Sequence, residues 1–247
     1  VVQFVKNYPT ESTPEEFRND SFATTTTWPH PQATAERWHL RGDGSLTRAV
    51  PGEDEPGHTM TNPEHPFGRA YRSDGLLGFE VHINDGTACS RSYEQWILGL
   101  TLPKACFSNA DKSTQQRLTF ETAPMAEDLY INGPIQADIW IDSTVTEAVV
   151  AVQVEELSDK HSLPITNGQL LAWMRAVDES RSRFMSGEMI HPFHYFTEEK
   201  SQLLVPGEVV KMQVEIFPTS AIIRKGNRLR IAISPSVFAV QPNSPAN

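Results

Sequence analysis

The chain has 247 residues, with 21 Lys and Arg against 31 Asp and Glu, and a formal net charge of −10. This acidic balance argues against nucleic acid and anionic lipid as partners, because both are recognised by clustered basic side chains. No segment approaches the run of about 20 apolar residues that a membrane-spanning helix needs. We therefore expect a soluble chain that forms one large domain or two small ones.

The two cysteines, Cys89 and Cys106, do not form a motif. They lack the Cys-x-x-Cys spacing of zinc ribbons and redox sites, so no structural zinc is predicted. A single disulfide in a secreted protein remains an alternative to two thiols in a reducing compartment. The second interpretation is favoured, and with it a cytoplasmic location, although two cysteines do not fix the compartment.

The part of the chain before residue 117 combines short strand patterns with long loops. Residues 1–6 and 36–41 are predicted to be strands, and Thr13 followed by Pro14 is typical of the start of a helix. Stretches rich in Pro and Gly surround these segments. Loops of such length in a compact domain usually carry function or pack against another surface.

From residue 117 onward, apolar and polar residues alternate with the period of a half-buried strand. In residues 135–143, for example, Ile139 falls on the inner face, while Asp138 and Trp140 fall on the outer face. The same pattern predicts strands at 148–155, 209–217 and 227–234, with shorter candidates at 117–121 and 169–176. In the segment 227–234, Leu229, Ile231 and Ile233 are expected inward and Arg228 and Arg230 outward.

Turn motifs containing Gly, Pro and Asn separate these predicted strands, and no helix of crossover length lies between them. This arrangement predicts an all-β fold, an antiparallel β-sandwich with long loops and a few short helices.

Catalytic and metal-binding motifs are weak. The string Gly-x-Ser-x-Gly, which forms the nucleophile elbow of α/β-hydrolases, does not occur, so no catalytic residue is predicted. Glu188, His191 and His194 come closest to a set of metal ligands, but Pro192 prevents a regular helix through the two histidines. We expect this segment to be a loop that packs on a neighbouring surface, with no metal and no cofactor bound.

Trp140 interrupts the polar face of an otherwise regular strand. An outward tryptophan can stack on a sugar, or it can belong to a patch that docks on another domain. Docking is favoured, because the surrounding outward residues are short carboxylates and an amide, without a second aromatic residue at matching parity.

Two long segments, 118–134 and 203–234, carry a series of framework motifs in a fixed order. The first segment contains an Ala-Pro corner, an Asp-Leu pair and a Gly-Pro turn; the second contains Pro-Gly-Glu, Pro-Thr-Ser and Gly-x-Arg-Leu-Arg. Both resemble the C-terminal non-catalytic β-sandwich of the CocE/NonD hydrolases, the group of cocaine esterase, X-prolyl dipeptidyl aminopeptidases and α-amino-acid ester hydrolases. Weaker similarity extends to residues 28–46, 62–68 and 174–184.

The resemblance implies a jelly-roll sandwich of the galactose-binding-like type. Residues 1–35 would enter from a preceding catalytic domain, and residues 36–247 would form the jelly roll, truncated at its last strand. In the family the catalytic Ser, Asp and His belong to the preceding α/β-hydrolase domain, so this chain would be inactive by itself. The parent protein would hydrolyse esters or amides, as an esterase or a dipeptidyl-peptidase, and is a candidate homo-oligomer.

The resemblance also implies that this domain packs on the catalytic domain and forms one wall of its substrate cleft. The side chains that we expect at this interface or cleft wall are Trp28, Phe67, Leu76, Leu77, Phe79, Trp96 and Trp140. Burial in the domain's own core is the alternative for each of them. Two other functions stay open: a stand-alone carbohydrate-binding jelly roll, and a complete hydrolase with an unrecognised site.

Overall fold

The computed structural model describes residues 2–7, 18–52, 55–58, 117–159 and 162–234. Within these ranges the strands are β1 Val2–Asn7, β2 Arg18–Thr24, β3 His39–Leu40, β4 Leu46–Thr47, β5 Leu118–Glu121, β6 Leu129–Ile141, β7 Val149–Leu157, β8 Ser162–Leu171, β9 Arg183–Met185, β10 Glu188–His191, β11 Val210–Ile223 and β12 Arg228–Ser234. Helical structure in the described part is limited to single 3₁₀ turns at Ala172–Met174 and Glu198–Lys200.

Eight strands form one sheet, in the order β2-β1-β11-β8-β7-β12-β5, with β6 also paired to β11. The two hairpins β3–β4 and β9–β10 lie outside this sheet. Every pair of described strands is antiparallel except β1 and β11, which pair in parallel at Lys6 and Ala221. The predicted all-β, antiparallel class is confirmed.

The sheet curls so that strands distant in its order share one interior. β11 and β7 are separated by β8, yet both contribute fully buried side chains to the same apolar cluster. The inward positions predicted from the alternation are confirmed at their centre: Val150, Val152 and Val154 of β7, and Met212, Val214 and Ile216 of β11. Burial of this apolar surface is the main term that stabilises the sandwich.

Gly168 of β8 lies where the two halves of the curled sheet meet. It is paired with Val152 of β7 on one side and with Ile216 of β11 on the other. A Cβ atom at this position would lie 1.9 Å from the carbonyl oxygen of Glu215 and 2.8 Å from the Cα atom of Ile216. Only glycine permits so close an approach of two backbones, which explains its place inside a strand.

The outer face of β7 and β12 is buried as well, contrary to the expectation for Arg230. Arg230 is only 7% exposed, and its Nε and Nη2 atoms each lie 2.7 Å from Oε2 of Glu155, which is completely buried. Ser162 and Gln153 donate the remaining hydrogen bonds to the Glu155 carboxylate. The alternation predicted the face of Arg230 correctly, but alternation does not report what covers that face.

Four predicted strands differ from the structure. The strands predicted at 135–143 and 209–217 are longer than expected, since β6 begins at Leu129 and β11 continues to Ile223, so the Gly-Pro and Pro-Thr-Ser motifs lie inside strands. In residues 36–41 only His39–Leu40 is a strand, because Arg41 and Ser45 already close a tight turn with a 2.9 Å backbone hydrogen bond. The strand predicted at 169–176 is the end of β8, followed by the 3₁₀ turn at Ala172–Met174. The helix start predicted at Thr13 lies outside the described residues.

Candidate interaction surface

β6 and β11 together present an outer face on which Trp140 is the most exposed side chain of β6. The register places Trp140 opposite Lys211, and Asp138 opposite Gln213. Trp140 is 60% exposed, whereas its neighbour Ile139 on the opposite face is buried. The structure thus places the indole on the outer face, as the alternation predicts.

Asp138 holds together the charged groups around Trp140. Its Oδ2 atom lies 2.9 Å from Nζ of Lys211 and 3.7 Å from Nη1 of Arg37, and its Oδ1 atom accepts a 2.6 Å hydrogen bond from Gln136. The Lys211 ammonium lies 5.4 Å from the centroid of the Trp140 ring, within the range of a cation–π contact. The ion pair with Asp138 therefore positions the lysine over the indole.

Arg37 connects the segment before β3 to this face. Besides its contact with Asp138, it donates hydrogen bonds to Oε2 of Glu188 at the start of β10, from Nε at 3.1 Å and also from Nη2. The hydrogen bond from Arg37 lowers the pKa of Glu188, and the small degree of burial opposes this shift. One guanidinium thus joins three parts of the chain.

The predicted metal candidates Glu188, His191 and His194 are directed to different partners. Glu188 binds Arg37, His191 places Nε2 at 2.9 Å from Oε1 of Glu215, and Nε2 of His194 lies 2.9 Å from the carbonyl oxygen of Gln213. Within the part of the chain that the structure describes, no group of three His, Cys, Asp or Glu side chains could hold a metal ion. The segment packs on the outer face of β11, as expected, but Glu188–His191 is the strand β10 and not a loop.

Four histidines of the described residues have recorded polar partners, and none of these partners forms a catalytic arrangement with a serine. His30 accepts a hydrogen bond from the backbone of Gln32, and His58 contacts the carbonyl oxygen of Arg41. His191 and His194 have the partners given above. None of these four imidazoles contacts a serine hydroxyl, as the general base of a serine hydrolase must.

Trp28 lies near the other end of β6. It is 39% exposed, and the following Pro29 lies so close to Gly133 that a Cβ atom there would be 3.0 Å from the proline ring. The backbone N–H of His30 donates a 3.1 Å hydrogen bond to Oδ1 of Asn132. The segment from Trp28 to Arg37 therefore follows β6 from Asn132 towards Asp138.

The other predicted interface or cleft residues, Phe67, Leu76, Leu77, Phe79 and Trp96, lie outside the described residues, as do Cys89 and Cys106. Two residues of this surface were not predicted from the sequence: Lys211, which lies over the Trp140 ring, and Arg37, which contacts Asp138. The register of β11 on β6 would have revealed Lys211, but no pattern within either strand contains that information. No helix in the described part is long and apolar enough to cross a membrane.

A protein-family model matches nearly the whole chain. Residues 4–247 match the family model of the X-Pro dipeptidyl-peptidase C-terminal non-catalytic domain. "Putative serine esterase Mb1866c" of Mycobacterium bovis and "Putative serine esterase MT1883" of Mycobacterium tuberculosis are each 25% identical over 221 residues. These matches cover 87% of this chain but only 31% of each mycobacterial protein, so the chain spans about a third of the length of these relatives.

Solved structures share the fold at low sequence identity. A CocE/NonD family hydrolase from Staphylococcus aureus matches with a TM-score of 0.57 and 12% identity, over 94% of this chain and 33% of that protein. An aminopeptidase from a marine sediment Thaumarchaeota archaeon has a TM-score of 0.56 and 14% identity, over 90% and 32%. An α-amino acid ester hydrolase has a TM-score of 0.55 and 14% identity, over 92% and 34%.

Proposed function

Because the chain belongs to the X-Pro dipeptidyl-peptidase C-terminal non-catalytic domain family, we propose that it is the accessory domain of a CocE/NonD-type serine hydrolase. The observation that carries the proposal is the family match over residues 4–247. The all-β sandwich and its likeness to a third of each hydrolase structure are consistent with it. The parent protein hydrolyses an ester or an amide through an acyl-enzyme, with its nucleophile and base outside this chain.

The domain packs on the catalytic α/β-hydrolase domain and forms one wall of the substrate cleft. Its contact residues are those predicted from the sequence: Trp28, Phe67, Leu76, Leu77, Phe79, Trp96 and Trp140. Residues 1–35 form the segment that enters from the catalytic domain, and residues 36–247 form the accessory domain. β1 and β2 lie within that entering segment, so it would cross the edge of the sandwich before reaching Trp28.

The surroundings of Trp140 support docking over sugar binding. A sugar site needs an open aromatic face with unengaged polar groups beside it. Here Lys211 lies over the ring, and Asp138 is engaged by Lys211, Gln136 and Arg37.

Hydrolysis of p-nitrophenyl acetate by two proteins tests the proposed function. One is the chain by itself, and the other is the full product of the reading frame that encodes it. We expect the full product to hydrolyse the ester, with loss of activity after treatment with a serine-directed inhibitor, and the chain alone to match the buffer rate. Inhibitor-sensitive hydrolysis by the chain alone would contradict the proposal, as would a reading frame without a hydrolase domain.

A panel of immobilised sugars serves as the test of the alternative function. We expect no retention of the chain on any sugar. Retention that is lost in Trp140→Ala but kept in Phe184→Ala, an exposed aromatic residue on β9, would favour a carbohydrate-binding module instead.

A further inference from the structure

The interior of the sandwich is open on one side. In the described part of the chain, β5 pairs with no named strand other than β12, and β6 with no named strand other than β11. Inner-face residues of β6, such as Ile135 and Ala137, and of β5 and β12, such as Phe120 and Ile231, line one opening between these strands. We call this opening the β5–β6 cleft, and its inner walls are formed by apolar side chains.

Burial decreases from β11 towards the β5–β6 cleft. In the strand register, Ile135 of β6 lies opposite Ile216 of β11, and Ala137 lies opposite Val214. Ile216 and Val214 are at most 1% exposed, whereas Ile135 and Ala137 on the same inner face are only partly buried. Apolar surface that stays in contact with water contributes nothing to stability. The β5–β6 cleft is therefore complementary to an apolar occupant.

The chain leaves the described residues at this cleft and re-enters them there. His58 lines the cleft, and its ring packs edge to face on Phe120 with the ring centroids 5.0 Å apart. Arg117 also lines the cleft and immediately precedes β5. Residues 59–116 connect these two points and lie outside the described residues. Both ends of this connecting segment are therefore held beside the opening that needs an occupant.

The connecting segment contains a suitable apolar run at residues 96–102. Leu98, Leu100 and Leu102 alternate there with the small residues glycine and threonine, and no residue of the run is charged. The other apolar stretch, residues 76–83, is interrupted by a glutamate and a histidine. Insertion of a charged side chain between apolar walls is costly. The run 96–102 is therefore the better match to the cleft.

We propose that residues 96–102 occupy the β5–β6 cleft, with Leu98, Leu100 and Leu102 directed onto the inner face of β6. The chain thus closes its own sandwich between β5 and β6, and the cleft is not a ligand pocket. Trp96 begins the run at the mouth of the cleft, where it remains available for contact with a catalytic domain. The inference concerns this chain alone, so it stands independently of the proposed function.

The reaction of engineered cysteines with a maleimide tests whether the run is buried. Leu98→Cys and Leu100→Cys are each made in a chain that carries Cys89→Ser and Cys106→Ser. Asp111→Cys is the matched control, because it lies in a polar stretch of the same connecting segment. We expect the two cysteines of the run to react about tenfold or more slowly than the control in native buffer, since a buried thiol reacts only after local opening. In concentrated urea all three rates should be equal.

A second variant tests whether the occupied place is the β5–β6 cleft. Ala137→Trp fills the cleft from the inner face of β6, so it should displace the run and increase the labelling rate of Leu100→Cys about tenfold. Val209→Trp is the control, since Val209 is 68% exposed and does not line the cleft. Ala137→Leu, a smaller replacement, should change the rate in the same direction and keeps the test valid if the tryptophan prevents folding.

Three results would overturn the inference. The first is equal labelling of Leu98→Cys, Leu100→Cys and Asp111→Cys in the native chain. The second is slow labelling that both Ala137 variants leave unchanged, because the run would then be buried elsewhere. The third is protection that appears only at high protein concentration or only in the full product of the reading frame, which would assign the cleft to a second copy or to another domain. None of these results bears on the ester hydrolysis that tests the proposed function.

Discussion

The outer faces of β6 and β7 both carry polar side chains, but only the face of β6 is exposed to solvent. On β6 the outward residues Asp138 and Trp140 lie at the surface, the carboxylate partly and the indole mostly exposed. On β7 the corresponding Gln153 and Glu155 are completely buried, and Arg230 of β12 is buried with them. β6 alternates apolar and polar residues from Ile135 to Ile141, whereas β7 does so only from Val152 to Glu155, after an apolar run from Val149 to Val152. The alternation identifies two faces but does not say which of them meets solvent.

The difference shows in how the two faces satisfy their charges. Glu155 accepts hydrogen bonds from Arg230, Ser162 and Gln153, as a carboxylate removed from water must. Asp138 keeps part of its exposure and binds long side chains that reach it across the surface. The hydrogen bonds to Glu155 hold β7 and β12 together inside the protein. The ion pair of Asp138 with Lys211 leaves the Trp140 ring exposed beside it.

Gly168→Ala should have the largest effect on stability, since Gly168 lies between β7 and β11, where the two halves of the sheet meet. The added methyl group would overlap the carbonyl oxygen of Glu215, so β8 and β11 must move apart. We expect a loss of about 4 kcal/mol or more in the free energy of unfolding, measured by urea denaturation. Gly57→Ala, where nothing lies within 4 Å of the added atom, is the matched control and should change little.

Removal of one cation from each face tests the contrast directly. Arg230→Met leaves the buried Glu155 without its counter-charge, and we expect a loss of about 3 kcal/mol in the free energy of unfolding. Lys211→Met removes a partner of the partly exposed Asp138 and should cost about 0.5 kcal/mol. Urea denaturation of both variants measures the difference.

The double variant Glu155→Met with Arg230→Met is the control for the buried pair. It removes both charges, so part of the stability lost in Arg230→Met should return. Similar losses in the Arg230 and Lys211 single variants would show that the two faces do not differ in the way described.

The smallest effect concerns the pH dependence of the exposed face. Arg37 lowers the pKa of Glu188 below its reference value of 4.5, so the folded state binds this proton less readily than the unfolded state does. The resulting stability is present above that value and is lost as the pH falls through the lowered pKa. The difference in unfolding temperature between wild type and Arg37→Met should therefore be constant from about pH 7 to 5.5 and shrink below about pH 4.5.

Glu188→Gln provides the reference for that measurement. With no carboxyl group at position 188, adding Arg37→Met should produce a change in unfolding temperature with a much weaker pH dependence. An unaltered pH dependence would assign the effect to Asp138, the other carboxylate near Arg37.

Much of the fold could be predicted from the sequence because long strands repeat their pattern. β6 and β11 alternate over enough residues to fix both their existence and their inward faces. The bounds of β3 and the existence of β4 could not be predicted, since two residues in each strand leave no period to recognise. The covered outer face of β7 was not predicted, although the continuous apolar run at Val149–Val152 is typical of a strand buried on both faces.

The candidate site was predictable only at its centre. Trp140 was conspicuous as an aromatic residue on a polar face, and the structure places it there. Lys211 contacts Trp140 through the strand register, and Arg37 contacts the neighbouring Asp138 from a segment distant in sequence; neither contact follows from local spacing.

The parallel pairing of β1 with β11 affects how this domain forms during translation. β2 follows β1 closely in the chain and pairs with it, but the partner of β1 at Ala221 is made only after nearly all the other described strands. The β1–β2 pair must therefore remain separate from the rest of the sheet until β11 has been synthesised. This pair is consequently among the last parts to join the sheet on a nascent polypeptide, and the edge of β1 that faces β11 is where a chaperone would find unpaired backbone groups.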